Sequence, residues 1–228
     1  MTTRNNYPAH GAKQETRKAT LEAVKRLPHL WRHDHLSCDW MELTAEDDKT
    51  LPMLLREGVL VPGTSKYIGI NYADPTLDEP LAKREDASRK LLADNEDKFA
   101  DDPAIWHYGT FEDACLERIF PRAGVIVFDT HYSIGRHNTL KMAGPVLHFF
   151  KHQVRTLKQA VLVLNVVYRG SNGLPLDKAI AQWTEAIADY LDLPTEAIPI
   201  HVYRSAGRQW QMVLTRLSLD AAYLPPDW

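Results

Sequence analysis

The sequence predicts one α/β domain whose mostly parallel sheet carries helices on both faces, and three observations support this. First, Val125–Phe128 and Ala160–Tyr168 are apolar, β-branched runs with no polar alternation, as expected of strands buried on both faces. Second, strand and helix patterns alternate five times along the chain, which predicts parallel strands joined by helical crossovers. Third, Ile198–Arg204 and Gln209–Leu219 follow each other across a short polar turn, so the chain should close on an antiparallel hairpin.

The N-terminal part is expected to be an arm and helical extension over residues 1–35, with the α/β domain over 36–228. Apolar residues at three- and four-residue steps predict a helix from Glu15 to about His33, kinked at Pro28. Cys38–Leu43 is then the first strand. Thr44 is predicted to be the N-cap of a helix that ends near Arg56.

The remaining elements follow in the same alternation. The strands are Lys66–Asn71, a short one at Trp106–Tyr108, and the two buried runs. The turn Asp74–Pro75 ends the first of them. Helical patterns are assigned between them and before the hairpin, at residues 76–100, Phe111–Phe120, Asn138–Lys158 and Leu176–Tyr190. The third of these helices is expected to be interrupted or started by Gly144–Pro145.

The composition excludes several classes of protein. The 228 residues are 44% hydrophobic and 25% charged, which is ordinary for a globular domain. No apolar run approaches the ~18–20 residues that cross a bilayer. The N-terminus shows no apolar signal core, so a cytoplasmic location is expected. Two cysteines without CxxC spacing, Cys38 and Cys115, argue against a disulfide framework.

The charge is unevenly distributed along the chain. Residues 1–33 hold seven basic and two acidic residues, a net of +5, so the other 195 residues carry −8 of the total of −3. Such a basic segment on an acidic body could contact nucleic acid. It could equally be a solvated helix face.

Polar residues come directly after the central buried run, and they are the candidate catalytic group. In open parallel sheets, ligands bind outside the carboxyl ends of the strands, which is where Asp129, His131 and Tyr132 should lie. Asp129 could orient a substrate amine or act as a general base, or it could cap the next element. His131 and Tyr132 could stack on a flat substrate or relay a proton, or they could simply cover the sheet end.

A histidine-rich segment, HxxxHDH, is the candidate for metal binding. It comprises His29, His33, Asp34 and His35, and histidines four residues apart on a helix can share a metal ion. Because Pro28 precedes the first histidine and no helix clearly continues through Asp34, no metal site is assigned. Neither a GxxxxGK[ST] loop nor a GxSxG elbow occurs, which argues against a P-loop NTPase and an α/β-hydrolase.

The order of elements and three short motifs resemble the class I S-adenosylmethionine-dependent methyltransferases. KYIGINYADP resembles the second strand of that family and its proline turn. GTFEDA resembles the loop after the third strand, and VIVFDTHYS resembles the fourth strand. The resemblance spans about Leu36 to Leu219. It implies a Rossmann-like, seven-stranded sheet in the order 3-2-1-4-5-7-6, with the terminal hairpin at one edge.

The resemblance also implies which residues contact S-adenosylmethionine. Asp113 would accept from the adenine amine, and Asn71 or Asp74 would hold the ribose. Glu42 would accept from the amino group of the cofactor. The family's glycine-rich loop after the first strand is degenerate here, because CDWMELTAEDDKT contains no glycine, and Asn71 stands where the family has an acid.

Two functions are therefore open. The first is an S-adenosylmethionine-dependent methyltransferase of undetermined substrate, with nucleic acid as one candidate. The alternative is a non-catalytic, methyltransferase-like binding or scaffolding protein that has lost the cofactor site, which the missing glycines favour.

Overall fold

The computed structural model describes residues 10–44, 49–73, 80–133, 143–168, 175–192, 196–204 and 211–218. Within these ranges only the backbone is described for 10–13, 130–133, 167, 196–198, 203–204 and 211–218. The predicted turns at Asp74–Pro75 and Ser205–Arg208 lie outside the described residues.

A mostly parallel sheet forms the centre of the molecule, which confirms the predicted α/β class. The strands of the sheet are β3 (Asp39–Leu43), β4 (Tyr67–Asn71), β5 (Ala104–Tyr108), β6 (Ala123–Ser133), β7 (Val161–Tyr168), β8 (Glu196–Arg204) and β9 (Gln211–Ser218). Their order across the sheet is β5-β4-β3-β6-β7-β9-β8. Pairing is parallel from β5 to β7, while β9 is antiparallel to both β7 and β8.

Six α-helices are described, and they cover both faces of the sheet. They are α1 (His10–Lys25), α2 (Thr50–Arg56), α3 (Leu81–Lys98), α4 (Phe111–Leu116), α5 (Gly144–Leu157) and α6 (Leu176–Leu191). None of these described helices is long and apolar enough to cross a membrane.

Alternate residues of the central strands point into two different cores, because successive side chains of a strand face opposite sides of a sheet. On one face, Met41, Ile126 and Phe128 belong to a cluster that includes Phe150 of α5 and Trp183 of α6. On the other face, residues of β3, β6 and β7 pack with α1 and α2; this cluster includes Trp40, Val125, Val163, Leu21, Val24, Leu51 and Leu54. The N-terminal helix therefore shares a core with the sheet.

The helix predicted from Glu15 to His33 is shorter than expected at its C-terminal end. After α1 the chain forms a 3₁₀ turn at Pro28–Leu30, with the proline in its first turn. A two-stranded ribbon follows, in which β1 (Trp31–Arg32) pairs antiparallel with β2 (His35–Leu36). His33 and Asp34, both with positive φ, form the connecting turn. His29 and His33 therefore do not share a helix.

Two other predicted boundaries are corrected. Thr44 is not a helix N-cap, because α2 begins at Thr50; Thr44 instead directly follows β3, and its backbone N–H donates to the Ile70 carbonyl over 2.8 Å. The helix predicted to reach Phe120 ends at Leu116, and Arg118 shortly after it has a positive φ of 53°. The helix α5 begins at Gly144 with Pro145 in its first turn, as the Gly144–Pro145 start predicts, whereas the stretch from Asn138 to Met142 lies outside the described residues.

Candidate functional site

The carboxyl edge of the sheet is uneven, because β6 is much longer than β3. The last paired residues of these two strands are Glu42 and Val127. β6 then continues to Ser133, so the predicted end of this strand at Asp129 is too early. Asp129 and the residues after it extend beyond the end of β3.

The ladder between β6 and β7 loses its register directly after Asp129. Asp129 pairs with Asn165, and the next pair is Ser133 with Val167. Residues 130–132 of β6 are thus set against the single residue Val166, which is an irregularity of the bulge kind. Bulges redirect side chains and are common beside active sites. His131 and Tyr132, two of the predicted catalytic residues, belong to this segment.

Asp129 is the catalytic candidate whose side chain is described. It is exposed, whereas its neighbour Phe128 is buried in the core. The Asn165 side-chain amide donates from Nδ2 to Asp129 Oδ1 over 2.7 Å. The aspartate therefore lies at the open edge of the sheet and is attached through one oxygen to a buried residue of the next strand.

Glu42 is buried, and its carboxylate is directed into the core rather than into the open edge. Trp40 Nε1 donates to Oε2 and the Tyr67 hydroxyl donates to Oε1, both over 2.9 Å. Trp40 is 1% exposed and Tyr67 0%, so these two donors are withdrawn from water. The carboxylate therefore joins β3 to β4 inside the core, because Trp40 belongs to β3 and Tyr67 to β4.

Asn71 is at the end of β4, the strand beside β3. Its side-chain Nδ2 donates to the Thr44 carbonyl over 2.7 Å, and its own carbonyl accepts from the Gly109 N–H over 3.0 Å. Through its side chain and its main chain together, Asn71 thereby connects the ends of β3, β4 and β5. An aspartate could not make the first of these bonds, because a carboxylate has no N–H to donate.

Asp113 is exposed in the first turn of α4. The hydroxyl of Thr110, the N-cap residue, accepts from the Asp113 backbone N–H over 3.0 Å. An acidic side chain at this position is favoured by the positive end of the helix dipole. The position therefore has a structural explanation that is independent of any ligand.

The structure brings Asn71, Asp113 and Asp129 to one edge of the sheet, whereas the carboxylate of Glu42, predicted as a cofactor contact, is directed into the core. Asp74, the alternative ribose contact, lies outside the described residues. Sequence reasoning did not single out Asn165, although it is the one polar residue in the run VLVLNVV. Among the described residues, no group of three or more histidine, cysteine or acidic side chains is arranged to hold a metal ion.

The strand order, the antiparallel last pair and the polar carboxyl edge define a class I methyltransferase-like fold. Among solved structures, the chain resembles M. jannaschii TYW2 in complex with AdoMet, with 12% identity and a TM-score of 0.49 over 89% of this chain and 76% of that one. It also resembles a cofactor-bound Rv0187 from MTB, with 13% identity and a TM-score of 0.48 over 91% and 80%. An rRNA methylase from Streptococcus thermophilus aligns with 13% identity and a TM-score of 0.47 over 96% and 99%.

These alignments have TM-scores below 0.5, and it is the strand order of the sheet that defines the fold. No protein-family model matches the sequence, and no curated protein matches it either.

Proposed function

We propose that this chain is an S-adenosylmethionine-dependent methyltransferase whose cofactor lies across the carboxyl ends of β3, β4 and β6. The observation that carries the proposal is the set of polar side chains at that edge, on a sheet with the methyltransferase strand order. Open α/β sheets bind their ligands at this edge. When S-adenosylmethionine is bound there, its sulfonium group supplies an already activated methyl group. The main task of the protein is then to position the atom that accepts the methyl group.

The chemistry of the described residues fits this cofactor. Its hydrogen-bond donors are an ammonium group, two ribose hydroxyls and an adenine amine. The edge offers acceptors for the ribose and for the adenine amine, namely the Asn71 Oδ1 and the exposed Asp113 carboxylate, whereas the Glu42 carboxylate is directed into the core. Asn71 supplies one neutral acceptor where a carboxylate would supply two charged ones, so its hold on the ribose is weaker.

Asp129 is the proposed catalytic residue, with His131 and Tyr132 beside it in the irregular segment of β6. Its exposed carboxylate can accept a hydrogen bond from an incoming amine and so orient the acceptor atom, or it can take up a proton as a general base. His131 and Tyr132 would supply stacking or proton relay for a flat acceptor.

Cofactor binding is tested by thermal melts with millimolar S-adenosylmethionine or S-adenosylhomocysteine. A ligand that binds only the folded state at a hundredfold excess over Kd stabilises it by about 2.7 kcal/mol. For a chain of this size that is on the order of 5 °C or more in Tm. We expect this upward shift, and we expect Asp113→Ala to reduce it strongly.

Glu117→Ala is the matched control, because Glu117 is an exposed acid at the other end of α4. It should keep the full shift. No shift at millimolar ligand in the unmodified protein would contradict the proposal, and the non-catalytic binding protein would then be the better assignment.

We also propose nucleic acid as the substrate, contacted through the basic N-terminal segment. Lys18, Arg26 and Arg32 are exposed, and none of them takes part in a described ion pair. By contrast, Arg17 donates to Thr50 Oγ1, and Lys25 lies 3.5 Å from Glu22 and 3.6 Å from Glu57. Part of the positive charge is therefore used within the domain, whereas Lys18, Arg26 and Arg32 lie outside the described ion pairs and are proposed to contact phosphates.

The salt dependence of binding to a 20-nucleotide single strand of mixed sequence tests this surface. Three phosphate contacts predict a slope of log K against log salt of about −2. The triple variant Lys18→Ala, Arg26→Ala, Arg32→Ala should bring that slope close to zero. Lys90→Ala, an exposed cation on α3, is the control and should leave the slope unchanged. Salt-independent binding, or no binding, would remove nucleic acid as the substrate.

A further inference from the structure

Asn165 is an unusual residue for its position in the sheet. It lies in the middle of β7, is 5% exposed, and is flanked by Leu164 and Val166, each 1% exposed. Burying a side-chain amide is costly unless its polar atoms are hydrogen-bonded. An apolar residue would fill this place in the strand at no such cost, so the amide calls for an explanation.

The Asn165 amide is directed at the proposed catalytic carboxylate. Asn165 and Asp129 are register partners on adjacent parallel strands, and their side chains therefore emerge on the same face. The distance of 2.7 Å between Asn165 Nδ2 and Asp129 Oδ1 is at the short end for an N–H···O bond, as is usual when the acceptor is a carboxylate.

The two partners have opposite relations to solvent. Asp129 is exposed and gains little stability from a partner, since water would solvate it equally well. Asn165 is enclosed by the core, so packing fixes its side-chain rotamer. The hydrogen bond therefore connects the exposed carboxylate of Asp129 to a side chain that the packed core of β7 holds in place.

We infer that Asn165 is a positioning residue that fixes the direction of the Asp129 carboxylate toward the methyl acceptor. The inference rests on the proposed function, because it takes Asp129 as the group that orients the acceptor. Asn165 does this at the last regular pair before the irregular segment of β6, where the backbone alone gives less support. Catalytic groups held on rigid elements by such a second residue keep their geometry far better than groups held by loops.

The test is the rotamer of Asp129 measured by NMR in the full chain. Three-bond couplings from Asp129 Cγ to the backbone N and carbonyl carbon report χ1, with Asp129→Asn used for assignment. The unmodified protein should show the couplings of one rotamer. Asn165→Leu keeps the size of the side chain but removes the donor, and it should give couplings averaged over two or three rotamers; Asn165→Ala should do the same.

Val163→Ala is the matched control, because Val163 is a fully buried residue of the same strand and face that does not contact Asp129 through a described hydrogen bond. It should destabilise the domain yet leave the Asp129 couplings unchanged. Single-rotamer couplings in both Asn165 variants, or averaged couplings in the unmodified protein, would overturn the inference.

The outcome is distinguishable from that of the proposed function. If the couplings change as expected while melts show no cofactor binding, the methyltransferase assignment fails and the positioning of Asp129 by Asn165 stands. If the cofactor binds and the couplings do not respond to Asn165→Leu, the positioning role alone fails.

Discussion

Replacing Glu42 by alanine is expected to lower the free energy of unfolding by about 4 kcal/mol, since it leaves two buried donors without their acceptor at roughly 1–3 kcal/mol each. Trp40 Nε1 and the Tyr67 hydroxyl both donate to this carboxylate, and both rings are withdrawn from water. Urea unfolding measures the loss, with an unchanged slope expected because the same surface is exposed on unfolding.

A milder replacement and a mutant cycle separate the hydrogen bonds from simple loss of volume. Glu42→Gln keeps the size and one acceptor oxygen, and its cost should be about 1–2 kcal/mol. Tyr67→Phe should destabilise the unmodified protein, whereas in the Glu42→Ala background it removes a hydroxyl that has already lost this acceptor and should cost much less. Contacting residues typically couple by about 0.5–3 kcal/mol in such cycles. A loss below about 1 kcal/mol for Glu42→Ala, or no coupling with Tyr67, would contradict this account.

The α/β class was predictable because the strands of this sheet have a strong local signature, whereas the strand order was expected from the family resemblance. The runs at Val125–Phe128 and Val161–Val166 are apolar except for Asn165, and they are short and β-branched, whereas buried helices are longer. The alternation with helical patterns then restricts the topology, since crossovers between parallel strands are right-handed. The apolar runs and their alternation with helical patterns depend on residues that are close together in the chain, so they can be recognised in a single sequence.

Features that depend on contacts between distant residues were not predictable. Glu42 was predicted as a ligand contact, but Tyr67, 25 residues away, bonds its carboxylate inside the core. Asn165 was missed because its partner is set by the register between β6 and β7, which composition does not reveal. Thr44 has the residue type of an N-cap, yet a backbone bond to Ile70 keeps it at the end of the sheet.

The second large effect is expected at Gly69, where alanine should destabilise the protein by about 2 kcal/mol through overpacking. A Cβ at this position would lie 2.5 Å from Trp106 Cζ3 and 2.6 Å from Cε3. The indole is held in place, because it stacks on Phe99 with centroids 5.8 Å apart and tilts against Tyr67 at 5.5 Å. The entropic gain of alanine over glycine in a strand, roughly 0.5–1 kcal/mol, is too small to offset the clash.

A compensating substitution tests whether the indole is the cause. Trp106→Leu alone should destabilise the protein by about 3 kcal/mol through lost burial, but it also clears the space above residue 69. In the double variant the alanine methyl occupies that space. The loss of stability in the double variant should therefore be smaller than the sum of the two single losses by at least ~1 kcal/mol. Urea unfolding of the four proteins gives this coupling. Strictly additive costs would show that the glycine is required by the backbone of β4 and not by the aromatic group packed on it.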